Sequence, residues 1–354
     1  MTEPAHDVPL APLTTLHLGG PARTLVIAST DTELVQAVRD ADAAGESVLL
    51  LAGGSNLVIS DDGFAGTVVH VATAGIAAED RGESVLLTVA AGEPWDAVVQ
   101  RCVTDGLVGV ECLSGIPGST GATPIQNVGA YGQEVSQTIT SVRVWDRTAG
   151  EITELPAAAC GFGYRTSAFK GAERHVVLSV TFALARGTDS APVTYAELAK
   201  RLHLQVGGQA PLTAVREAVL ALRSAKGMVL DPADPDTVSA GSFFTNPILD
   251  AEQWTELERR TAEKLGSDVE PPRFPAPEGL RKTSAAWLIE QAGFSKGYSR
   301  GHVSVSSKHT LALINQGDAS TEDLIGLARE IRDTVERGFG VTLVTEPTLV
   351  GVAL

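Results

Sequence analysis

Between Gly115 and Gly132 the chain reads GIPGSTGATPIQNVGAYG, eighteen residues with little capacity for regular structure. Short β-branched runs stand on both sides of it, so it has to be carried by a compact, β-rich domain. A loop of that length in such a domain is ordinarily functional or disordered, and its apolar residues and tight glycine spacing favour function. Glycines at 115, 118, 121, 129 and 132 strip side chains from a long piece of main chain. Its N–H groups are then available to converge on an anion such as a pyrophosphate. A second glycine turn, AGGSN at Ala52–Asn56, lies upstream. One such loop is weak evidence for phosphate; two flanking a β-rich segment are stronger.

The usual nucleotide and catalytic fingerprints are missing: no GxGxxG, no Walker GxxxxGK[ST], no HExxH and no GxSxG. Any nucleotide is therefore held by another design. The 43 acidic against 27 basic residues leave a formal charge of −16, with no Lys/Arg-rich run. Nucleic acid is excluded as a general partner, since phosphate chains need a basic patch. An anionic ligand must be met by a few local cations and main-chain N–H groups, because the overall field repels it. Cys102, Cys112 and Cys160 form no CxxC pair and read as core residues of a reducing compartment, not as a disulfide framework or a metal site. No basic and apolar leader opens the chain, and no apolar run approaches the roughly 20 residues of a membrane span. A cytoplasmic monomer without membrane contact is expected.

At 354 residues, two or three domains are the natural division. RTLVIAS reads as a strand and TDTELVQAVRDADAAG as a helix, with a Thr30-x-x-Glu33 capping box and Gly45 as its stop. SVLLLAGGSNLVIS is a strand, a glycine turn and another strand. From Val68 to Arg186 the short β runs are split by one helix, EPWDAVVQRCVTDG. Further helices are read in APVTYAELAKRLHL, PLTAVREAVLALRSAKG and RKTSAAWLIEQAG, the last after a proline-rich joint, VEPPRFPAPEG. The long STEDLIGLAREIRDTVERGFG has Ser320 as N-cap and Gly338 near its stop. The final VTLVTEPTLVGVAL reads as strand.

Three residues stand out. Ser242, in SAGSFFTNP, follows Gly241 and precedes Phe243 and Phe244, which suggests a dry wall; a turn or N-cap serine fits the same place. Arg165, in CGFGYRTSAF, is either a surface ion-pair partner or a guanidinium held against a carboxylate. Glu346, in TEPTLVG, is either on an edge strand facing water or a buried carboxyl that burial keeps protonated. The proline after it favours extended geometry.

These segments together resemble one family, UDP-N-acetylenolpyruvoylglucosamine reductase (UDP-N-acetylmuramate dehydrogenase). The likeness runs in order through TTLHLGGPA, GGSNLVISDDGFAGTVV, LSGIPGSTGATPIQNVGAYGQE, GYRTSAFK, SAGSFFTNP, AAWLIEQAGF and EPTLVG. It implies an α+β, vanillyl-alcohol-oxidase-like FAD-binding fold of two α/β subdomains and a third, α+β, substrate-binding domain. The expected division is 1–70, to which a strand within 341–354 returns, then 71–227 and 228–340. FAD would be held by Gly53, Gly54, Ser55, Asn56 and Leu57, by Gly115, Ile116, Pro117, Gly118, Ser119, Gly121 and Ala122, and by Gln126, Asn127, Gly129, Ala130, Tyr131 and Gly132. That answers the missing GxGxxG, since such proteins cradle the pyrophosphate on irregular loops.

The implied reaction is NADPH-dependent, FAD-mediated reduction of UDP-N-acetylglucosamine enolpyruvate to UDP-N-acetylmuramate. It serves peptidoglycan synthesis, and through it cell wall, cell shape and division. Hydride comes from the reduced flavin. By the resemblance Arg165 and Glu346 stabilise the resulting enolate and Ser242 delivers the proton. Tyr164, Lys226 and Asn246 match substrate contacts, and Lys226 is the counter-charge for the diphosphate. Tyr195, in VTYAELAK, resembles the tyrosine loop of the family's first type, which folds over the nucleotide. Thr245 departs from the basic residue of many members, so the local phosphate or carboxylate contact is either weaker or comes from Arg300 or His302. His309 reads as a surface residue and Trp287 as core. Two other functions share parts of this pattern: another flavin oxidoreductase acting on an alcohol or lactone, and a flavin-less sugar-nucleotide binding protein.

Overall fold

The computed structural model describes residues 3–277 and 279–354; the first two residues and Glu278 of the proline-rich joint lie outside them. The chain forms two compact units. One takes residues through Val8, Ala22–Gly54 and Phe64–Val229; the other takes Pro9–Pro21, Ser55–Gly63 and Leu230–Leu354. The expected three-part division groups residues 9–21 and 55–63 with its first subdomain, whereas here they count with the C-terminal unit.

In the first unit, strands Pro21–Ala28 and Val48–Leu51 flank Phe64–Val71 in parallel. Helix α1 (Asp31–Ala43) connects the first two; Thr30 accepts from the Glu33 N–H, and Gly45 at φ +68° lets the chain turn away. Glu33 returns its carboxylate to the Ser29 N–H. An antiparallel sheet follows in the order Glu151–Pro156, Ile139–Asp146, His175–Arg186, Ser84–Ala90, Ile76–Asp80. Its strands alternate buried and half-exposed residues, as in Ser84–Ala90, which is what one covered face demands. Helix α2 (Trp95–Thr104) buries Trp95, Val98, Val99 and Cys102 in the same core. Helices α3 (Ala196–Arg201) and α4 (Leu212–Ser224) share a smaller cluster of Cys112, Val193, Leu198, Val215 and Val219.

In the second unit, strands run in the order Ser239–Ser242, Ala312–Asn315, Val303–Val305, Ser299–Arg300. Helices α5 (Ala251–Leu265), α6 (Ala285–Gln291) and α7 (Thr321–Phe339) bury Trp254, Leu257, Leu288, Ile331 and Phe339 in one core with Leu16, Leu18 and Val58. Trp287 packs on Phe339, ring centroids 5.8 Å apart, the core role expected of it.

Four details depart from the sequence reading. Helix α5 was not anticipated, although Asp250 and Gln253 form a complete capping box at its start. Helix α6 begins only after Ser284, whose hydroxyl accepts from the Trp287 N–H, while Arg281–Lys282 pair as strand with Ile248–Leu249. Gly338 stands near the stop of α7 as read, but the residue that caps it, Gly340, left-handed at φ +70°, was not singled out. Of the expected terminal strand, Thr348–Val350 pairs parallel to Leu57–Ile59 and Thr345 makes a single antiparallel bridge to Phe244, the two parted by a bend at Glu346 and Pro347.

Candidate active site

The two glycine turns of the first unit meet main chain to main chain. A methyl group at Gly53 would stand 2.7 Å from Gly118 Cα, closer than side-chain carbons come. Gly54 and Gly118 have φ of +58° and +109°, which glycine adopts at low cost. The long loop is laid on the start of α2: Trp95 N–H donates to Gly118 O at 3.0 Å, and Gly121 N–H to Ala91 O at 2.8 Å. A cavity of about 320 Å³ opens here, lined by Gly53, His70, Thr73, Glu93 and Ser119 among others. Small side chains and bare main chain at that size fit part of a dinucleotide such as FAD. Burial pushes the His70 imidazole below its ordinary pKa, so it stays neutral near pH 7.

Gly115 is fixed from behind. Its N–H donates to Asp96 Oδ1 at 2.5 Å, and Asp96 also takes a two-pronged bond from Arg216 at 2.7 and 2.8 Å. Burial raises the Asp96 pKa, but Arg216 and the Gly115 N–H outweigh it and hold the carboxyl below its usual range. Arg223 lies half-buried behind the same glycine, its Nη2 donating to Met228 O at 2.7 Å. Burial lowers its pKa to about 10. Ile116, Pro117 and Gly118 are half-buried, Ser119 buried and Ala122 exposed.

The far end of the loop carries two left-handed residues, Asn127 (φ +47°) and Tyr131 (φ +49°). Asn127 is buried; its Nδ2 donates to Glu134 Oε2 and Gly163 O, and its Oδ1 accepts from Ser136 N. That amide is a strut within the protein. Gln126, Gly129 and Ala130 remain half-buried, and Gly132 is exposed. Arg165, itself at φ +53°, donates from Nη2 to Gly129 O at 2.7 Å and lies 5.5 Å over the Tyr164 ring. The loop thus aims the guanidinium, and Tyr164 backs it.

Tyr131, Tyr195 and Lys226 come together. The two tyrosine rings meet edge to face at 5.4 Å, and Lys226 Nζ stands 5.9 Å from the Tyr131 ring centre. Its ion-pair partner is Glu197 Oε2, at 2.7 Å.

In the second unit, Ser242 ends its strand opposite Ala312, so it is neither a turn residue nor an N-cap. Its hydroxyl makes no hydrogen bond among the described residues. Gly241 has φ +72°, and a methyl group there would meet nothing within 4 Å, so this glycine serves the backbone bend and not a close approach. Phe243 and Phe244 are each 1% exposed, pack edge to face at 5.2 Å and belong to the core of this unit. Glu346 N–H donates to Phe243 O at 2.9 Å, and Asn56 Nδ2 donates to Glu346 O at 3.4 Å. Ser55, Asn56 and Leu57 therefore belong with Ser242 and Glu346, apart from Gly53 and Gly54. Asn246 Oδ1 accepts the Ala285 N–H at the head of α6. Thr245 is held by main chain at Val344, while Arg300 pairs with Glu330 of α7 at 3.5 Å.

The FAD binding domain family matches residues 22–156, and the C-terminal domain of UDP-N-acetylenolpyruvoylglucosamine reductase matches residues 232–350. The UDP-N-acetylenolpyruvoylglucosamine reductase of Thermobifida fusca is 58% identical over 352 residues, 99% of each chain. This chain belongs to that reductase family. The Streptomyces coelicolor reductase is 59% identical over 351 residues, covering 99% of this chain and 91% of its own. A crystal structure of the Thermus caldophilus reductase superposes with a TM-score of 0.66 at 24% identity, over 98% of both chains. The α+β FAD-binding fold expected from the sequence is that of the reductase family.

Sequence reasoning missed Asp96, Arg216, Glu197 and His70, which surround the predicted residues. Glu111 was missed too: fully buried, it accepts from Gly109 N, Gln133 Nε2 and Ala191 N. No motif marks these positions; a glutamate four residues ahead of the glycine loop, among Val110, Cys112 and Leu113, is the one signal that sequence offers.

Proposed function

We propose that this chain catalyses the NADPH-dependent, FAD-mediated reduction of UDP-N-acetylglucosamine enolpyruvate to UDP-N-acetylmuramate, for peptidoglycan precursor synthesis. The observation that carries the reading is an uncommitted serine hydroxyl, at Ser242, one residue from the carbonyl that tethers Glu346. FAD, when bound, supplies hydride to the terminal carbon of the substrate's double bond and regains it from NADPH. The Gly53–Gly54 turn and the Gly115–Gly132 loop hold it.

Hydride addition leaves negative charge on the carbon beside the substrate carboxylate. The Arg165 guanidinium, preset by the Gly129 carbonyl, offsets that charge without reorganising. Glu346 assists Arg165 in stabilising that charge. Ser242 gives its proton to the carbon; a hydroxyl is a weak acid, but the intermediate is a much stronger base, and Phe243 and Phe244 exclude water. Lys226 balances the diphosphate, Tyr195 makes this a first-type member, and Tyr164 and Asn246 complete the substrate contacts. We assign a monomer in the cytoplasm, a compartment suited to three free, buried cysteines.

An anaerobic spectrum tests the reading. The flavin band should bleach with NADPH and return on addition of the enolpyruvyl sugar nucleotide. Bleaching without return sinks the substrate assignment and favours an alcohol or lactone oxidoreductase; no band after reconstitution with FAD favours the binding protein.

A further inference from the structure

Lys226 has a carboxylate on it. Its Nζ stands 2.7 Å from Glu197 Oε2, with the two side chains 33% and 43% exposed. Burial opposes the ammonium, but the Glu197 hydrogen bond and the nearby Tyr131, Glu197 and Tyr195 together outweigh it and the Lys226 pKa is raised. Glu197 lies in the first turn of α3, two residues after Tyr195, whose ring meets Tyr131. The segment lies against the Gly115–Gly132 loop: a methyl group at Gly132 would come 2.3 Å from Thr194 Oγ1. Glu197 can therefore leave Lys226 by rotating its side chain while the segment stays on the loop. Arg223 adds a second positive charge that acts on Tyr131, so the cluster without Glu197 is cationic.

We propose that Glu197 is a charge latch, occupying Lys226 in the free enzyme and displaced by the diphosphate of the sugar nucleotide. This rests on the reading of Lys226 as the diphosphate's counter-charge. The latch keeps smaller or singly charged anions off the lysine and lets a diphosphate win the exchange by its greater charge. It also lets product go, because the carboxylate competes to return. A pair this exposed is weak, so removing the competitor has a modest effect, about two- to fivefold in affinity.

The test titrates FAD-loaded enzyme calorimetrically with UDP and with uridine, which lacks the diphosphate. Glu197→Gln should bind UDP about two- to fivefold tighter and uridine unchanged; with the sugar nucleotide, KM should fall along with kcat as product is held longer. Lys226→Met should weaken UDP and leave uridine alone. If Lys226→Met weakens UDP while Glu197→Gln leaves it unchanged or weakens it, the latch is overturned and the diphosphate contact stands. Equal tightening of UDP and uridine by Glu197→Gln also overturns it. If Lys226→Met leaves UDP unchanged, the role of Lys226 falls and the latch with it.

Discussion

The main-chain N–H of Glu346 is bonded to the carbonyl of Phe243 at 2.9 Å, which anchors Glu346 one residue from Ser242. Neither side chain makes that bond, so each can be changed with the tether intact. The proposed proton donor and the proposed carboxyl beside it are therefore separable by mutation.

Ser242→Ala should keep NADPH-driven flavin reduction and lose turnover of the enolpyruvyl sugar by roughly 10²- to 10⁴-fold. Stopped-flow absorbance separates the two half-reactions. Normal reoxidation by the sugar nucleotide removes Ser242 from the mechanism.

Glu346→Gln should likewise spare the first half-reaction and slow the second. Loss of bound flavin in this variant, read from its visible spectrum, makes Glu346 structural instead.

Gly53→Ala drives a methyl group into the Gly118 main chain, which cannot rotate aside. The expected cost is about 1–3 kcal/mol together with weaker flavin retention. Thermal melting of apo and FAD-loaded protein measures both, and an unchanged melt disproves the close contact.

Asp96 gives the fold an acid limb. Its carboxyl titrates below the ordinary range in the folded protein, so the unfolded chain binds the proton first. The stability from its charge is complete above about pH 4 and is lost as pH falls through the depressed folded value. Urea midpoints should therefore fall more steeply below about pH 4 for the natural chain than for Asp96→Asn. Parallel curves would show that Asp96 is not the group responsible.

Sequence made the local devices legible where one residue decides. Thr30 and Gly45 bound α1, and the glycines of 115–132 marked a loop that no regular element could absorb. Gly338 stands near the stop of α7 as read, but only the left-handed Gly340 shows which residue caps it. The order of Arg165, Ser242 and Glu346 along the chain was readable by family likeness. What aims them was not: Gly129 O, Phe243 O and the Asn127 strut are main-chain or long-range partners with no residue pattern of their own. The same holds for Glu197, which on an exposed helix looks like any surface acid.

The parallel pairing of Leu57–Ile59 with Thr348–Val350 has a bearing on how the protein is born. Asn56 and Glu346, which flank these strands, are 290 residues apart in the chain. Leu16, Leu18 and Val58 emerge early from the ribosome, yet their core partners on α7 are made nearly last. The first unit has its remaining chain by Val229 and is free to fold during synthesis, whereas the second must wait for residues 348–350. Its loop-closure cost is met late, and until then an apolar segment near the start of the chain is work for a chaperone.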